Sequence, residues 1–234
     1  MKLSIKITDL AAQGLEQMEN HPKHHFDWRT RREIYRLLRD KHGRAGTQVH
    51  GWIAVNAAEY VFPIFAAAFP DDRLPGRLIR YAKRILNGSI DRKSWRIKML
   101  EEEGYMGTGI DNMVVRNDLP AYNADYAGAA AYHALMEARG ALRLLDNVEG
   151  LRRRDGMFVS GGMETADPTE DSRLFTDEDI AHLAAYSDTA GPAAIAFACE
   201  HEQFLVHPER LRVFWRWWVE VALPDAAGRV ERYV

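Results

Sequence analysis

The side chains that could do acid–base chemistry stand out because of the apolar residues around them. Glu59 lies in a stretch that is nearly all apolar, and His133 lies in an alanine-rich stretch. A buried carboxylate needs a partner, so we predict that Glu59 forms an ion pair with an arginine of residues 73–96. We predict that His133 is a hydrogen-bonded core histidine. The alternative hypothesis is a small helical enzyme in which Glu59 and His133 act as catalytic groups.

A second candidate for chemistry is a metal site formed by Glu200, His201, Glu202 and His207. Adjacent residues such as Glu200 and His201 diverge on a helix, and neither an HExxH nor an HxH spacing occurs. The sequence also contains no nucleophile elbow, P-loop or dinucleotide-binding fingerprint. We therefore predict that the chain has no metal site, no cofactor and no enzymatic activity.

Charged residues are distributed unevenly, although the net charge is only −3. Residues 73–98 contain nine basic residues and one acidic residue, whereas residues 164–179 contain seven acidic residues and one basic residue. One interpretation is that both segments are solvated faces that partly face each other. The other is that they form a bipolar surface that binds a partner. On the second interpretation the partner-binding residues are Arg77, Arg80, Arg84, Glu164, Asp167, Glu170, Asp171 and Asp177.

Two predicted helices over residues 47–88 position Glu59 and the basic segment. From Thr47 to Phe62 the chain is apolar on nearly all sides of a helix, which is typical of a buried central helix. At roughly 16 residues this helix is short for a membrane span, which needs about 20, and we predict no membrane contact. Thr47 is the predicted N-cap, and Pro63 is predicted to kink or end the helix.

The second of these helices follows a predicted turn at residues 69–72. Pro75 suits its first helical position, and Gly88 suits its C-terminal stop. Its apolar stripe consists of Leu74, Leu78, Tyr81, Ala82 and Ile85. Its opposite side, which is predicted to face solvent, consists of Arg77, Arg80, Lys83 and Arg84.

Two further helices are predicted in the N-terminal part of the chain, before the central helix. Thr8 or Asp9 can cap the first, a short helix that runs through Met18. Residues 3–7 alternate between apolar and polar, which permits a strand. A lone strand has nothing to pair with, so extended coil is the favoured interpretation. A helix is predicted from Asp27 or Thr30 to about His42, with five arginines facing outward. The glycines that follow are predicted to separate it from the central helix.

The rest of the chain contains five further predicted helices. One is capped by Asp91 and ends at Gly104, one runs from Thr176 to about Tyr186, and one begins at residues 191–192. The other two carry the predicted core residues. One covers residues 121–146, and its alanine-rich stretch allows neighbouring helices to approach closely. The closing helix begins at Pro208. Its broad apolar stripe consists of Leu211, Phe214, Trp215, Trp218 and Val221. Residues 104–119 and 150–175 are rich in glycine and charge, and they are predicted to form loops.

These elements indicate an all-α fold. We predict one domain over residues 1–234 with about seven to nine helices, in which residues 150–175 form an exposed loop. The predicted core combines three segments, residues 47–65, 121–138 and 208–222. The single cysteine, Cys199, excludes an intrachain disulfide and suits a reducing compartment. Because the N-terminal residues contain no apolar run of the kind found in secretory signals, the expected location is the cytoplasm.

Three sequence blocks resemble one known family. The first, within residues 57–90, is AAEYVFPIF followed by PDDRLP and a basic amphipathic helix that ends in NGSI. The second is DYAGAAAYHALMEARG at residues 125–140, and the third is HPERLRVFWRWWVEVALPDA at residues 207–226. In this order the blocks are similar to the Imm5-type immunity proteins of bacterial polymorphic toxin systems. The resemblance covers about half of the chain. Residues 1–27 and, apart from the second block, residues 104–175 match none of its blocks.

The resemblance implies an all-helical protein that binds a cognate toxin domain and neutralises it by stoichiometric occlusion, in competition between bacteria. The acidic residues 164–179 would then suit the basic cleft of a nuclease toxin, because complementary potential raises both association rate and specificity. The alternative hypothesis is a helical nucleic-acid-binding protein in which residues 73–98 contact phosphates. That segment lacks regularly interleaved exposed aromatic residues, which argues against single-strand binding.

Overall fold

The computed structural model describes residues 2–89, 122–143, 188–198 and 207–231. Within these ranges the chain is mostly helical and contains no strand, which confirms the predicted all-α class. Six helices are present there, namely α1 (Ile5–Asn20), α2 (Trp28–Ala68), α3 (Leu74–Leu86), α4 (Tyr122–Arg143), α5 (Ala190–Ala198) and α6, which comprises Pro208–Trp217, a π-helical turn at Trp218–Ala222 and Leu223–Glu231. The seven to nine helices of the sequence analysis refer to the whole chain. The predicted loop at residues 150–175 lies outside the described ranges, and the single-domain organisation stays a prediction.

The N-terminal helix corrects the expectation of a strand or extended coil over residues 3–7. α1 begins directly after Ser4, whose carbonyl oxygen accepts hydrogen bonds from the amides of Ile7 (2.9 Å) and Thr8 (3.1 Å). The buried residues of this helix are Ile7, Ala11, Gly14 and Met18. They recur every three or four positions, which is the helical period. The alternation over residues 3–7 is too short to distinguish a strand from the first turn of this helix.

The longest helix, α2, is interrupted at Gly43. It begins after Asp27 as predicted, and the Asp27 carboxylate accepts a hydrogen bond from the amide of Arg29 (2.9 Å). Gly43 has φ 52° and ψ −123°, a conformation that favours glycine, so the predicted break is confirmed. The predicted cap at Thr47 is wrong. The helix resumes before this residue, and the Thr47 hydroxyl donates to the Gly43 carbonyl oxygen one turn earlier (3.1 Å).

The prediction that Pro63 kinks or ends the central helix is also wrong. α2 continues to Ala68, and only Gly43 departs from helical backbone angles within it. Pro63 lies on the exposed side of the helix, where water can bond the carbonyl group that loses its N–H donor. By length and composition alone α2 could cross a membrane, yet 56% of its most apolar window is buried inside the protein. A core helix of a soluble protein gives the same signal.

The second half of α2 packs against α4, and α3 packs against both helices. Small side chains on α4 allow the backbones to approach closely. The buried alanines of α4 are Ala124, Ala127, Ala130, Ala131, Ala134 and Ala138. Gly51 of α2 faces α3, where an added Cβ atom would lie 2.7 Å from the Leu86 side chain. The predicted core segments 47–65 and 121–138 therefore do meet at the centre of the fold.

The closing helix α6 buries its predicted apolar stripe with one exception. The fully buried residues are Leu211, Phe214, Trp215 and Trp218. Val221 is 52% exposed, because the π-helical turn at Trp218–Ala222 adds a residue and changes the register of the stripe. Asn56 of α2 donates one hydrogen bond to the Ala222 carbonyl oxygen (3.2 Å) and one to Asp225 Oδ2 (2.9 Å). These bonds join the irregular turn to the central helix.

Candidate partner-binding surface

The predicted partner-binding arginines of α3 lie on its exposed side. The helix has Pro75 in its first turn and ends before Gly88, whose φ of 66° suits glycine, as predicted. Its buried residues are Leu74, Pro75, Leu78, Ile79, Ala82, Ile85 and Leu86. Since this side packs against α2 and α4, Arg77, Arg80 and Arg84 face solvent.

Together with Arg73 these residues form a regular row, the arginine ladder (Arg73, Arg77, Arg80 and Arg84). All four residues are exposed. Their spacing places them on one side of the helix over about 16 Å, at a rise of about 1.5 Å per residue. Among the residues that the structure describes, no carboxylate forms a salt bridge with Arg73, Arg80 or Arg84. Within these ranges, therefore, no carboxylate neutralises the positive charge of Arg73, Arg80 and Arg84.

The acidic half of the predicted bipolar surface lies outside the described residues. This applies to Glu164, Asp167, Glu170, Asp171 and Asp177. Their role in partner binding stays a prediction, as does that of the arginine ladder. The alternative interpretation, in which the acidic and basic segments face each other, likewise stays untested.

Glu59 forms an ion pair as predicted, but with Lys83 instead of an arginine. Lys83 Nζ donates a hydrogen bond to Glu59 Oε1, which joins α2 to α3. The Lys83 side chain is 33% exposed and the Glu59 side chain 38% exposed, so this pair is in contact with water. The sequence pattern overstates the burial of Glu59, because Pro63 and Ala67, one and two turns later, mark the exposed side of α2.

Beside Glu59 an aromatic pair reaches the surface between α2 and α6. The rings of Tyr60 and Trp217 are stacked, with their centroids 4.0 Å apart. Val213 and Val221 lie one turn before and one turn after Trp217, and each is 52% exposed. These four residues, Tyr60, Val213, Trp217 and Val221, form the aromatic face. Partial burial raises the pKa of the Tyr60 hydroxyl, so the phenol is neutral at physiological pH.

The first half of α2 carries a buried ion pair. Arg31, one of the five arginines predicted to face outward, is completely buried. Its Nε donates to Asp188 Oδ2 at 2.9 Å, and its Nη1 donates to the Phe26 carbonyl oxygen at 2.8 Å. Asp188 also accepts hydrogen bonds from the Tyr35 hydroxyl (3.3 Å) and the Gly191 amide (3.2 Å). The prediction for Arg31 is therefore wrong, and this side chain holds the start of α5 against α2.

A second polar cluster adjoins this pair through Tyr35, whose ring stacks on that of His50 with 3.9 Å between centroids. His50 Nε2 lies 2.9 Å from Glu137 Oε2, an electrostatic contact without the alignment of a hydrogen bond. The other carboxylate oxygen of Glu137 accepts from the amide and the hydroxyl of Thr189, each at 2.7 Å. The two clusters together connect α2, α4 and α5 through polar groups.

His133, one turn before Glu137 on α4, is only partly buried, and no hydrogen bond to its imidazole is present among the described residues, so the predicted hydrogen-bonded core histidine is not confirmed. Burial lowers the pKa of its imidazole, and the negative charges of Glu137 and Asp188 oppose this effect only in part. The lowered pKa favours the neutral form. Glu59 is paired with Lys83, and among the described residues no hydrogen bond or ion pair joins it to His133.

The buried clusters escape sequence analysis because their members are distant in the chain, Arg31 and Asp188 being 157 residues apart. One signal is nevertheless present. Arg31 shares the i, i+3, i+4, i+7 spacing of an apolar helical side with Ile34, Tyr35 and Leu38. This spacing indicates that Arg31 points inward, and a buried arginine requires a carboxylate partner.

The described residues include no group of three or more histidine, cysteine, aspartate or glutamate side chains that could hold a metal ion. Glu200, His201 and Glu202, which the sequence analysis considers as ligands, lie outside the described ranges. His207 immediately precedes α6, and its amide donates to the Ala198 carbonyl oxygen (3.0 Å).

Comparison with known proteins identifies one family. The model of a family described as Immunity protein Imm5 matches residues 12–153. The match includes the first two sequence blocks of the resemblance, whereas the closing-helix block at residues 207–226 lies beyond it. It also includes residues 12–27, 104–124 and 141–153, for which the sequence analysis found no similar block. A comparison with curated proteins finds no match.

Proposed function

The chain belongs to the Imm5 family of immunity proteins, and we propose that it binds a cognate toxin domain and neutralises it by stoichiometric occlusion. The family implies an immunity function against a toxin and points to a role without catalysis. The family match over residues 12–153 is the observation that carries the proposal. We place the complex in the cytoplasm of a bacterium with a polymorphic toxin system, since a chain with one cysteine suits a reducing compartment.

The arginine ladder supports binding as the mode of action. It is carried by a helix whose other side is packed against the core, so its backbone is ordered before a partner arrives. Ordering in advance reduces the entropy lost on association. Exposed charge of one sign also accelerates the encounter with a partner of opposite sign.

The direct test first examines the gene immediately upstream for a large secreted protein with a variable C-terminal domain, and then combines that purified domain with the chain. We expect a 1:1 complex in sedimentation analysis. Toxin activity should fall in proportion to added chain and reach zero at one equivalent. Inhibition by far less than one equivalent would indicate turnover, and an absence of binding would remove the proposal altogether.

Charge reversal on the ladder tests its contribution. Arg80→Glu and Arg84→Glu, made together, should slow association with the toxin domain and weaken its dependence on salt, as expected for steering charges. Arg32→Glu is the matched control, because Arg32 is an exposed arginine of α2 outside the ladder. If the ladder variant and the control associate equally fast, the ladder is no part of the interface.

The acidic segment is tested in the same assay. Asp167→Lys, Glu170→Lys and Asp171→Lys, made together, should reduce both the association rate and its salt dependence. The helical core should be unaffected, because surface changes usually alter the free energy of unfolding by about 0.5 kcal/mol or less each. An association rate equal to that of the parent chain would place the toxin contact elsewhere.

Nucleic acid is the second candidate partner, because the regular spacing of the ladder could also suit a row of phosphates. Binding to phosphates releases counterions, so the affinity for DNA or RNA would fall steeply as salt rises. A titration of duplex and single-stranded oligonucleotides at two salt concentrations distinguishes the candidates. Tight binding that Arg80→Glu/Arg84→Glu abolishes would favour nucleic acid over a toxin domain.

A further inference from the structure

The aromatic face is an apolar surface that the fold leaves in contact with water. Three large hydrophobic side chains in the described part of the chain are strongly exposed, and two of them are Val213 and Val221. The third, Ile5, lies at the start of α1. Burying the two valines beside Trp217 against a partner would remove apolar surface from water, which is energetically favourable.

The face is also ordered before binding. Tyr60 stacks on Trp217, and its ring centroid lies 5.1 Å from that of Phe197. The ring centroid of Phe214, which is fully buried, lies 5.6 Å from that of Trp217, so Trp217 is packed against the core on this side. Side chains fixed in this way lose little rotamer entropy on association. Tyrosine and tryptophan are also enriched among the residues that dominate binding energy in protein interfaces.

The charged border of the face indicates the chemistry of its partner. Glu59 precedes Tyr60 in the chain and binds Lys83 of α3, so the aromatic face adjoins the helix that carries the arginine ladder. Within the described ranges Arg80 and Arg84 have no carboxylate partner. An apolar aromatic centre with arginines nearby is a composition typical of protein interfaces. A complementary surface would be apolar at its centre and carry carboxylates at its edge.

We propose that the aromatic face, together with the basic helix α3 that adjoins it through the Glu59–Lys83 pair, binds an apolar patch edged by carboxylates on the cognate toxin domain. This inference rests on the proposed function and names the surface and the partner chemistry. A second copy of the chain fits less well, because a symmetric contact would bring two arginine ladders around the same interface. Nucleic acid also fits less well, because Tyr60 and Trp217 stack on each other and are not free for bases.

Carboxylates introduced into the face provide the first test. Val213→Glu and Val221→Glu alter side chains that are half exposed, so the melting temperature should change little. Each should raise the Kd for the toxin domain about tenfold, the effect of a central interface residue. Ile5→Glu is the matched control, since Ile5 is 79% exposed on a different helix. Its Kd should equal that of the parent chain.

The anchor itself provides the second test. Trp217→Ala should raise the Kd about thirtyfold, as expected for a dominant interface residue. Trp217→Phe keeps a ring against Tyr60 and should recover most of the affinity. If Trp217→Ala fails to fold, the two valine variants decide the question.

The outcomes separate this inference from the proposed function. If the parent chain binds the toxin domain and the valine and tryptophan variants bind it equally well, the docking surface is elsewhere and the immunity function stands. If the parent chain does not bind, the proposed function itself fails. A parent dimer that Val221→Glu converts to a monomer, with toxin binding unchanged, would show a self-contact and overturn the inference. The inference would also be overturned if these variants lost binding to oligonucleotides while keeping their affinity for the toxin domain.

Discussion

Two ion pairs join α2 to neighbouring helices, and they differ in their access to water. Arg31 and Asp188 are both 0% exposed, whereas the side chains of Glu59 and Lys83 are about one third exposed. The buried pair is surrounded by further hydrogen bonds from the Tyr35 hydroxyl and the Gly191 amide. In the exposed pair, Lys83 donates a hydrogen bond to Glu59.

The difference shows that burial, more than charge, decides what an ion pair does for a fold. Moving a charge out of water costs several kcal/mol, so a buried pair persists only when both partners and their remaining hydrogen-bonding groups are satisfied. Arg31 and Asp188 therefore specify one arrangement of α2 and α5. An exposed pair is weakened by solvent and salt, and it usually contributes about 0–1 kcal/mol. Glu59 and Lys83 consequently belong to the surface more than to the core.

Removing one partner of the buried pair gives the largest effect that we predict. Arg31→Met leaves the Asp188 carboxylate buried without its countercharge, which typically costs about 3–5 kcal/mol of unfolding free energy. For a chain of this size that corresponds to a fall in melting temperature on the order of 10 °C. Thermal and denaturant unfolding measure both quantities. Arg32→Met, at an adjacent exposed position, is the matched control and should change the free energy by no more than about 0.5 kcal/mol.

A double variant sharpens this result. Arg31→Met combined with Asp188→Leu removes both charges, and it should recover part of the lost stability, because two apolar side chains have no desolvation cost. Equal melting temperatures for Arg31→Met and the parent chain would contradict the burial of this pair.

The two pairs also mark how far the sequence alone leads. The pattern around Glu59 predicts an ion pair with the correct segment, since the basic side of α3 is evident from its amphipathic spacing. It does not predict lysine as the partner or the exposure of the pair. The position of Arg31 on an apolar side is readable in the sequence, but its partner is not. Asp188 is 157 residues away, and only the tertiary packing of α5 brings it close.

Local signals in the chain behave in the same way. The break at Gly43, the start of α3 at Pro75 and its stop at Gly88 depend on the backbone conformations that glycine and proline favour, and the sequence predicts them correctly. The continuation of α2 through Pro63 depends on solvent access to one carbonyl group, which the sequence does not show. The exposure of Val221 escapes prediction because the π-helical turn at Trp218–Ala222 alters the register of the closing helix. Val213 and Trp217 precede this turn and lie off the predicted apolar stripe, and only tertiary packing brings Tyr60 to them.

A smaller effect on the free energy of unfolding is predicted for a change of pH. It arises at His133, close to the buried polar clusters and away from the exposed Glu59–Lys83 pair. Burial lowers the pKa of His133 in the folded chain, so below about pH 6.5 the unfolded chain binds the proton more readily. Stability should therefore fall as the pH decreases from about 6.5 toward the lowered pKa. Unfolding measurements between about pH 8 and pH 5 test this prediction. The carboxyls of Glu19 and Glu33, whose pKa values are lowered by arginines, change protonation below this range and do not obscure the effect.

The variant His133→Gln isolates this contribution. It should remain folded at neutral pH and lose less stability on acidification than the parent chain, because one proton-binding group is gone. His21→Gln, at an exposed position, is the matched control and should keep the parent slope. If His133→Gln and the parent show the same dependence on pH, the imidazole is not held neutral by its surroundings.

The smallest predicted effect belongs to the exposed pair. Glu59→Ala should change the free energy of unfolding by less than about 1 kcal/mol, because Lys83 can return to water when its partner is removed. A double-mutant cycle with Lys83→Ala should give a coupling energy of the same small size, and 1 M salt should remove most of it.

The apolar pattern around Glu59, taken alone, predicts the loss of about 3–5 kcal/mol that accompanies a broken buried pair. A loss of that size in Glu59→Ala would mean that the carboxylate is shielded from water as fully as Asp188, and the contrast between the two pairs would disappear. A small loss would confirm that a charged residue in an apolar stretch can lie at the border of an exposed surface, next to Tyr60 and the aromatic face.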